Sequence, residues 1–129
     1  MVANLRFGEQ MQRDRIKRRI NLRDLGRRLE LSPVYLSDIE RGQRRPPPLQ
    51  IVSKIARVLE ADTGTYLKLA LRERKAVELP VENGGVHDAR LRAALVLARA
   101  WGQMNDEELE GLATYLREKT EAKREGQSE

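Results

Sequence analysis

The chain has 129 residues, a net charge of +5, no cysteine and one histidine, with 35% of its residues charged. That length holds one ordinary domain, or a small binding module beside a short accessory element, and leaves no room for a large catalytic domain next to such a module. The cysteine and histidine counts exclude disulfides and thiolate chemistry and leave almost no ligands for zinc, so no metal and no cofactor is expected.

Helical periodicity dominates the chain, and no segment alternates like a strand, so the expected fold class is all-α. A first helix covers roughly residues 8–18, with Phe7 and Met11 on its inner face. Asn21 caps a second helix: Asp24 stands three residues later, and Leu22, Leu25 and Leu29 follow at helical spacing. Ser32 caps a third helix, Pro33 occupies its first position, and Gly42 ends it. The run Pro46, Pro47, Pro48 cannot be helix interior, but Pro48 can open a fourth helix through Ile51, Val52, Ile55, Ala56 and Leu59. Asp62 caps a fifth, with Tyr66, Leu67, Ala70 and Leu71. These five helices define an expected domain at residues 1–77.

Pro80, Asn83, Gly84 and Gly85 mark residues 78–86 as a linker. The helix after it, near residues 88–101, carries the stripe Leu91, Leu95, Ala98 and Trp101, while Ala93, Val96, Leu97 and Ala100 cover much of the remaining surface. A helix apolar nearly all round is covered on more than one side. Asn105 and Glu108 form a capping box for a last helix with Leu109, Leu112, Ala113 and Leu116 on one face. Residues 87–123 are therefore expected to form a helical hairpin, and residues 124–129 a flexible tail.

Charge divides along the same line. Residues 1–75 hold 18 Lys/Arg against 9 Asp/Glu, whereas residues 76–129 hold 7 against 11, so the first part is suited to meet a polyanion and the second is not. No run approaches the roughly 18 uninterrupted apolar residues of a membrane span, and the N-terminus lacks a signal-peptide core; no membrane partner and a cytoplasmic, nucleoid-associated location are expected.

The stretch from Leu25 to Gly42 fits a helix, a turn of about three residues and a second helix into minimal length. Such closeness forces a steep crossing, which lets the second helix protrude into a major groove. It also requires a small residue where the helices touch, here Gly26. Leu36 and Ile39 anchor the second helix inward, leaving Ser32, Pro33, Val34, Ser37, Asp38 and Arg41 outward.

At these positions, and most densely from Tyr35 through Ile39, Glu40, Arg41 and Gly42 to Pro46, the sequence resembles the lambda-repressor-like family of helix-turn-helix regulators, also called Cro-like or xenobiotic-response-element proteins. The resemblance covers about residues 7–72 and implies a five-helix DNA-binding bundle. It implies a sequence-specific transcription regulator on double-stranded DNA, in its leading form a homodimeric repressor of a near-palindromic operator. The family usually has a polar residue at Leu22, Ala at Gly26, Gly at Glu30 and an apolar residue at Asp14; Leu22 in particular leaves phosphate binding at Asn21, Leu22 and Arg23 to the helix-start amides. The resemblance also implies an ion pair between Arg15 and Glu40.

Readout is expected from serine hydroxyls, from Val34 on a thymine methyl and from Asp38 accepting from cytosine N4, with Arg44 and Arg45 reaching phosphate. Tyr35 either packs on the bundle or bonds a phosphate, and His87 is a surface residue. Leu91, Leu95, Ala98, Trp101, Leu109, Leu112 and Leu116 are the expected homodimer interface. Two alternatives stay open: an antitoxin whose hairpin binds a protein toxin, and a coactivator-like adaptor, the latter because Ser32, Pro33, Val34, Ser37 and Asp38 include no Gln, Asn or Arg. No catalytic residue is expected, since no phosphate loop or Ser/His/Asp arrangement is present.

Overall fold

The computed structural model describes residues 5–81 and 88–127. Most of the expected linker, His87 and the last two residues of the expected tail lie outside the described residues. Seven α-helices and no strand are present among those described: α1 Phe7–Lys17, α2 Leu22–Leu29, α3 Pro33–Glu40, α4 Leu49–Val58, α5 Thr63–Arg74, α6 Ala89–Trp101 and α7 Asp106–Gln127. They fall into two units, residues 1–78 and 79–129.

In the first unit the helix starts are fixed by short polar side chains. The Asn21 side chain accepts from the Asp24 N–H at 2.7 Å, and the Ser32 hydroxyl accepts from the Tyr35 N–H at 3.0 Å. Asp62 accepts from both the hydroxyl and the N–H of Thr65, and these bonds hold its carboxyl below the usual value. The start of α1 is satisfied differently: the Phe7 N–H donates across the bundle to Glu73 of α5 at 2.7 Å. At the end of α2, Glu30 takes the left-handed conformation, with φ of +58°. A glycine at this position would adopt it freely, whereas glutamate does so at a cost of about 1 kcal/mol.

The five helices close over one core: Phe7 and Met11 from α1, Leu25 from α2, Leu36 and Ile39 from α3, Val52, Ile55 and Ala56 from α4, Leu59 just after it, and Tyr66 and Ala70 from α5. Helix α1 packs on α3 and α5, α2 on α3 and α4, and α4 on α5. Phe7 meets Tyr66 edge to face, with ring centroids 5.6 Å apart. The buried Tyr66 hydroxyl donates to the Asp14 carboxylate at 2.5 Å, and burial pushes its pKa far above the ordinary tyrosine value. Asp14 thus enters the interior with partners, since it also accepts from Gln10 Nε2 at 3.1 Å.

Glu40 is the one buried charged residue among those described. Its carboxylate receives Arg15 Nε at 2.7 Å and Nη2 at 3.0 Å, a two-pronged pair, while Arg15 Nη1 donates to the Ile20 carbonyl at 3.0 Å. The pair ties α1 to the last turn of α3.

The second unit contains two helices joined by a short turn. Asp88 caps α6 through the Arg90 N–H at 2.8 Å, and Asn105 and Glu108 cap each other's amides at 3.0 and 2.8 Å. Two features differ from the expectation. Helix α7 continues through Gln127 where a tail was expected from residue 124, because its end is rich in the strong helix formers Glu, Lys, Arg and Ala. The hairpin is present as two helices that do not pack along one another, and no side chain described in this unit is buried. No described helix is long and apolar enough to cross a membrane.

Replacing Glu40 by Ala should strand a guanidinium whose side chain is only 13% exposed, and destabilise the protein by about 3 kcal/mol, well beyond the ~0–1 kcal/mol of an exposed pair. A double-mutant cycle with Arg15→Ala, followed by urea unfolding, measures the coupling. Coupling near zero would show that the two charges do not tie α1 to α3.

Candidate nucleic-acid interface

Two backbone approaches decide where α3 sits. A Cβ on Gly26 would overlap the Leu31 carbonyl oxygen, so the absence of a side chain there brings α2 against the turn that leads into α3. A Cβ on Gly8 would likewise overlap the Ile39 carbonyl, so α1 lies in backbone contact with the other end of α3. Gly42, with φ of +77°, then turns the chain out of α3, and the Arg6 guanidinium lies beside it. With Leu36 and Ile39 buried, α3 is held at both ends and along its inner face.

Its other face is open. Ser32, Pro33 and Val34 are exposed, Val34 at 69%, and Ser37 and Asp38 are half-buried beside them. Tyr35 packs against the core, and the Arg44 guanidinium stands 5.4 Å over its ring. Arg41, Arg44 and Arg45 are exposed in the turn after the helix. At the start of α2, Asn21 and Arg23 are exposed while Leu22 packs on the core, so Leu22 can offer a ligand its backbone amide and no polar side chain. The structure therefore brings the start of α3 and the arginine turn onto the solvent side of one helix-and-turn. Leu91, Leu95, Ala98, Trp101, Leu109, Leu112 and Leu116 belong to the second unit; Leu91, Leu109 and Leu112 are half-buried and the others exposed.

Sequence reading missed several supporting contacts. Asp38 accepts from Arg41 Nη2 at 2.8 Å and lies 3.8 Å from Arg44 Nε, so its carboxylate faces arginines of its own chain. The spacing of residues 38 and 41 is itself a signal for that pair. Arg74 of α5 donates to the Pro46 carbonyl at 2.8 Å and pairs with Glu78, and Gln50 donates to the Glu78 carbonyl at 3.1 Å; together these pin the proline loop behind the arginine turn. Pro46 and Pro47 are buried there. Arg18, by contrast, donates to the Leu59 carbonyl at 3.0 Å and pairs with Glu60, which commits it to the scaffold. No described group of His, Cys, Asp or Glu could hold a metal ion.

Residues 6–67 match the family model described as a helix-turn-helix domain, the same helices that carry the lambda-repressor-like resemblance. Among solved structures, the chain is similar to the master regulator for biofilm formation SinR in complex with DNA. That match has 28% identity over 47% of this chain and 97% of that one, with a TM-score of 0.44. A chain of a SinR protein/SinI protein complex is 18% identical, over 89% of this chain and 98% of that one, also with a TM-score of 0.44. No curated protein matches the sequence.

The close approach at Gly26 gives a prediction of defined sign. Alanine is the better helix former by about 1 kcal/mol, yet its Cβ must push against backbone that cannot rotate away. Gly26→Ala should therefore destabilise the protein by about 1–3 kcal/mol in urea unfolding. A stabilised variant would mean that α2 and the turn are not in contact at this point.

Proposed function

We propose that this chain, whose residues 6–67 form a helix-turn-helix domain, is a DNA-binding transcription regulator that acts in the cytoplasm as a homodimeric repressor of a near-palindromic operator. The observation that carries the reading is the open face of α3, anchored from behind and continued by three exposed arginines. A helix presented in this way enters a major groove with its first residues against base edges, while guanidinium groups at its end meet phosphate. In this reading Ser32, Val34 and Ser37 touch bases, by hydroxyl bonds and by contact with a thymine methyl, which their position on the outward side of α3 supports. The first-turn amides of α2, near Asn21 and Leu22, add a backbone anion contact, and Arg23 stands beside them.

The apolar side chains of α6 and α7 support dimerisation. Leu95, Val96, Trp101 and Leu116 are each at least half exposed, and no described side chain in either helix is buried, so the unit presents more apolar surface than it covers. A second copy supplies the missing cover. It also gives two recognition helices for the two halves of a palindrome. The adaptor reading retains one favouring observation, the lack of Gln, Asn or Arg among the outward residues of the first turns of α3.

Two measurements test these assignments. Changing Arg44 and Arg45 together to Ala should weaken binding to every duplex and flatten the dependence of log K on log salt by about 1–2 units. An unchanged slope would remove both from the phosphate contacts. A chain ending at Glu78, where the first unit closes, should sediment as a folded monomer, whereas the full chain sediments as a dimer at micromolar concentration. A full-length monomer would contradict the dimer assignment.

A further inference from the structure

Asp38 sits at the centre of the arginine turn. On its backbone side, its carbonyl accepts from the Gln43 N–H at 2.8 Å and the Arg44 N–H at 3.3 Å, which folds residues 41–44 back over the end of α3. Its side chain accepts from Arg41 at 2.8 Å and faces Arg44 at 3.8 Å. Arg44 is held a second time, over the ring of Tyr35, one turn of helix before Asp38. The carboxylate is 23% exposed, whereas the two arginines are 57% and 62% exposed, so the cations stand outside and the anion lies behind them.

A carboxylate facing a polyanion lowers affinity for it, and an acidic residue on a DNA-facing helix is explained only if it reads a base or acts on its neighbours. Here its oxygens are turned to Arg41 and Arg44. Both cations have long side chains that, left alone, follow any nearby phosphate. Held by Asp38 and Tyr35, they are restricted to one geometry, and one of their two charges is offset.

We infer that Asp38 is a positioning residue for Arg41 and Arg44, which fixes the register of α3 on DNA and lowers affinity for sequences that do not fit. The inference rests on the DNA-binding reading above. It departs from the simplest expectation for this residue, that its carboxylate accepts from a cytosine amino group.

The test compares the full-length wild type with Asp38→Asn on two duplexes: the one the wild type prefers in a selection from random sequences, and a scrambled one. The isosteric amide removes the charge and keeps the shape. Asp38→Asn should bind the scrambled duplex more tightly, with a salt slope steeper by about one unit, because a phosphate contact is gained. Its ratio of preferred to scrambled affinity should fall about tenfold. In an Arg41→Ala, Arg44→Ala background the same substitution should leave that ratio unchanged. A loss of discrimination that persists in that background, confined to one base pair, would assign Asp38 to direct readout and overturn the inference. An unchanged ratio in the wild-type background would overturn it too.

Nitrogen-15 relaxation of Arg44 Nε in the DNA-free protein gives an independent readout. The Arg44 side chain should gain motion in Asp38→Asn and keep its order in Asp38→Glu, which preserves the charge. Equal order in all three chains would contradict the positioning role even if the affinities moved. A wild type that binds no duplex at all would overturn the DNA-binding reading, and this inference with it.

Discussion

The placement of α3 depends on the buried pair between Arg15 and Glu40. A carboxylate that is 3% exposed is costly to leave alone, and it is accommodated here because a guanidinium meets both of its oxygens. The two-pronged contact ties α1 to the last turn of α3. The same two helices touch through Gly8 and the Ile39 carbonyl, so a polar tie and a backbone contact act on the same turn. With Gly26 against Leu31 at the other end, the helix cannot rotate about its axis without losing one of the three. Its outward residues are therefore set by its inward ones.

Much of this was legible in the sequence because it is encoded over short distances. Asn21, Ser32, Asp62, Asp88 and Asn105 each cap a helix with an amide two or three residues away, and the apolar residues of α1 to α5 recur at helical spacing. What was not legible is long-range or depends on shape. The bond between Tyr66 and Asp14 spans 52 residues, and that between Arg74 and Pro46 spans 28, and no local pattern announces either. Asp14 departs from the pattern that the resemblance implies, and its compensation, the Tyr66 hydroxyl, lies on another helix. Gly8 had no turn or cap to mark it; its role appears only once α3 is beside it. The length of α7 was underestimated because a charged end was equated with a disordered one, although Glu, Lys and Arg favour helix. The pair between Asp38 and Arg41 had a visible signal in its spacing, but a carboxylate on the outward side of α3 also suits a base contact.

Six arginines of the first unit illustrate two different roles. Arg15, Arg18 and Arg74 spend their hydrogen bonds on carboxylates and carbonyls that close helix ends and loops. Arg41, Arg44 and Arg45 follow the end of α3 and are exposed, with Arg41 bonded to Asp38 and Arg44 over the Tyr35 ring. The excess of basic residues in this part of the sequence is thus a poor count of phosphate contacts, and the turn that ends α3 is a better guide. In the proposed assembly the contribution of the second unit is to pair two such turns.

Selection of bound sequences from a random duplex pool at about 150 mM salt, where non-specific phosphate binding is weakened, tests the central claim most directly. The account predicts enrichment of a near-palindrome whose half-sites lie about one helical turn, or a multiple of it, apart, with the informative bases in the major groove. A pool that is retained without any preferred sequence would contradict it.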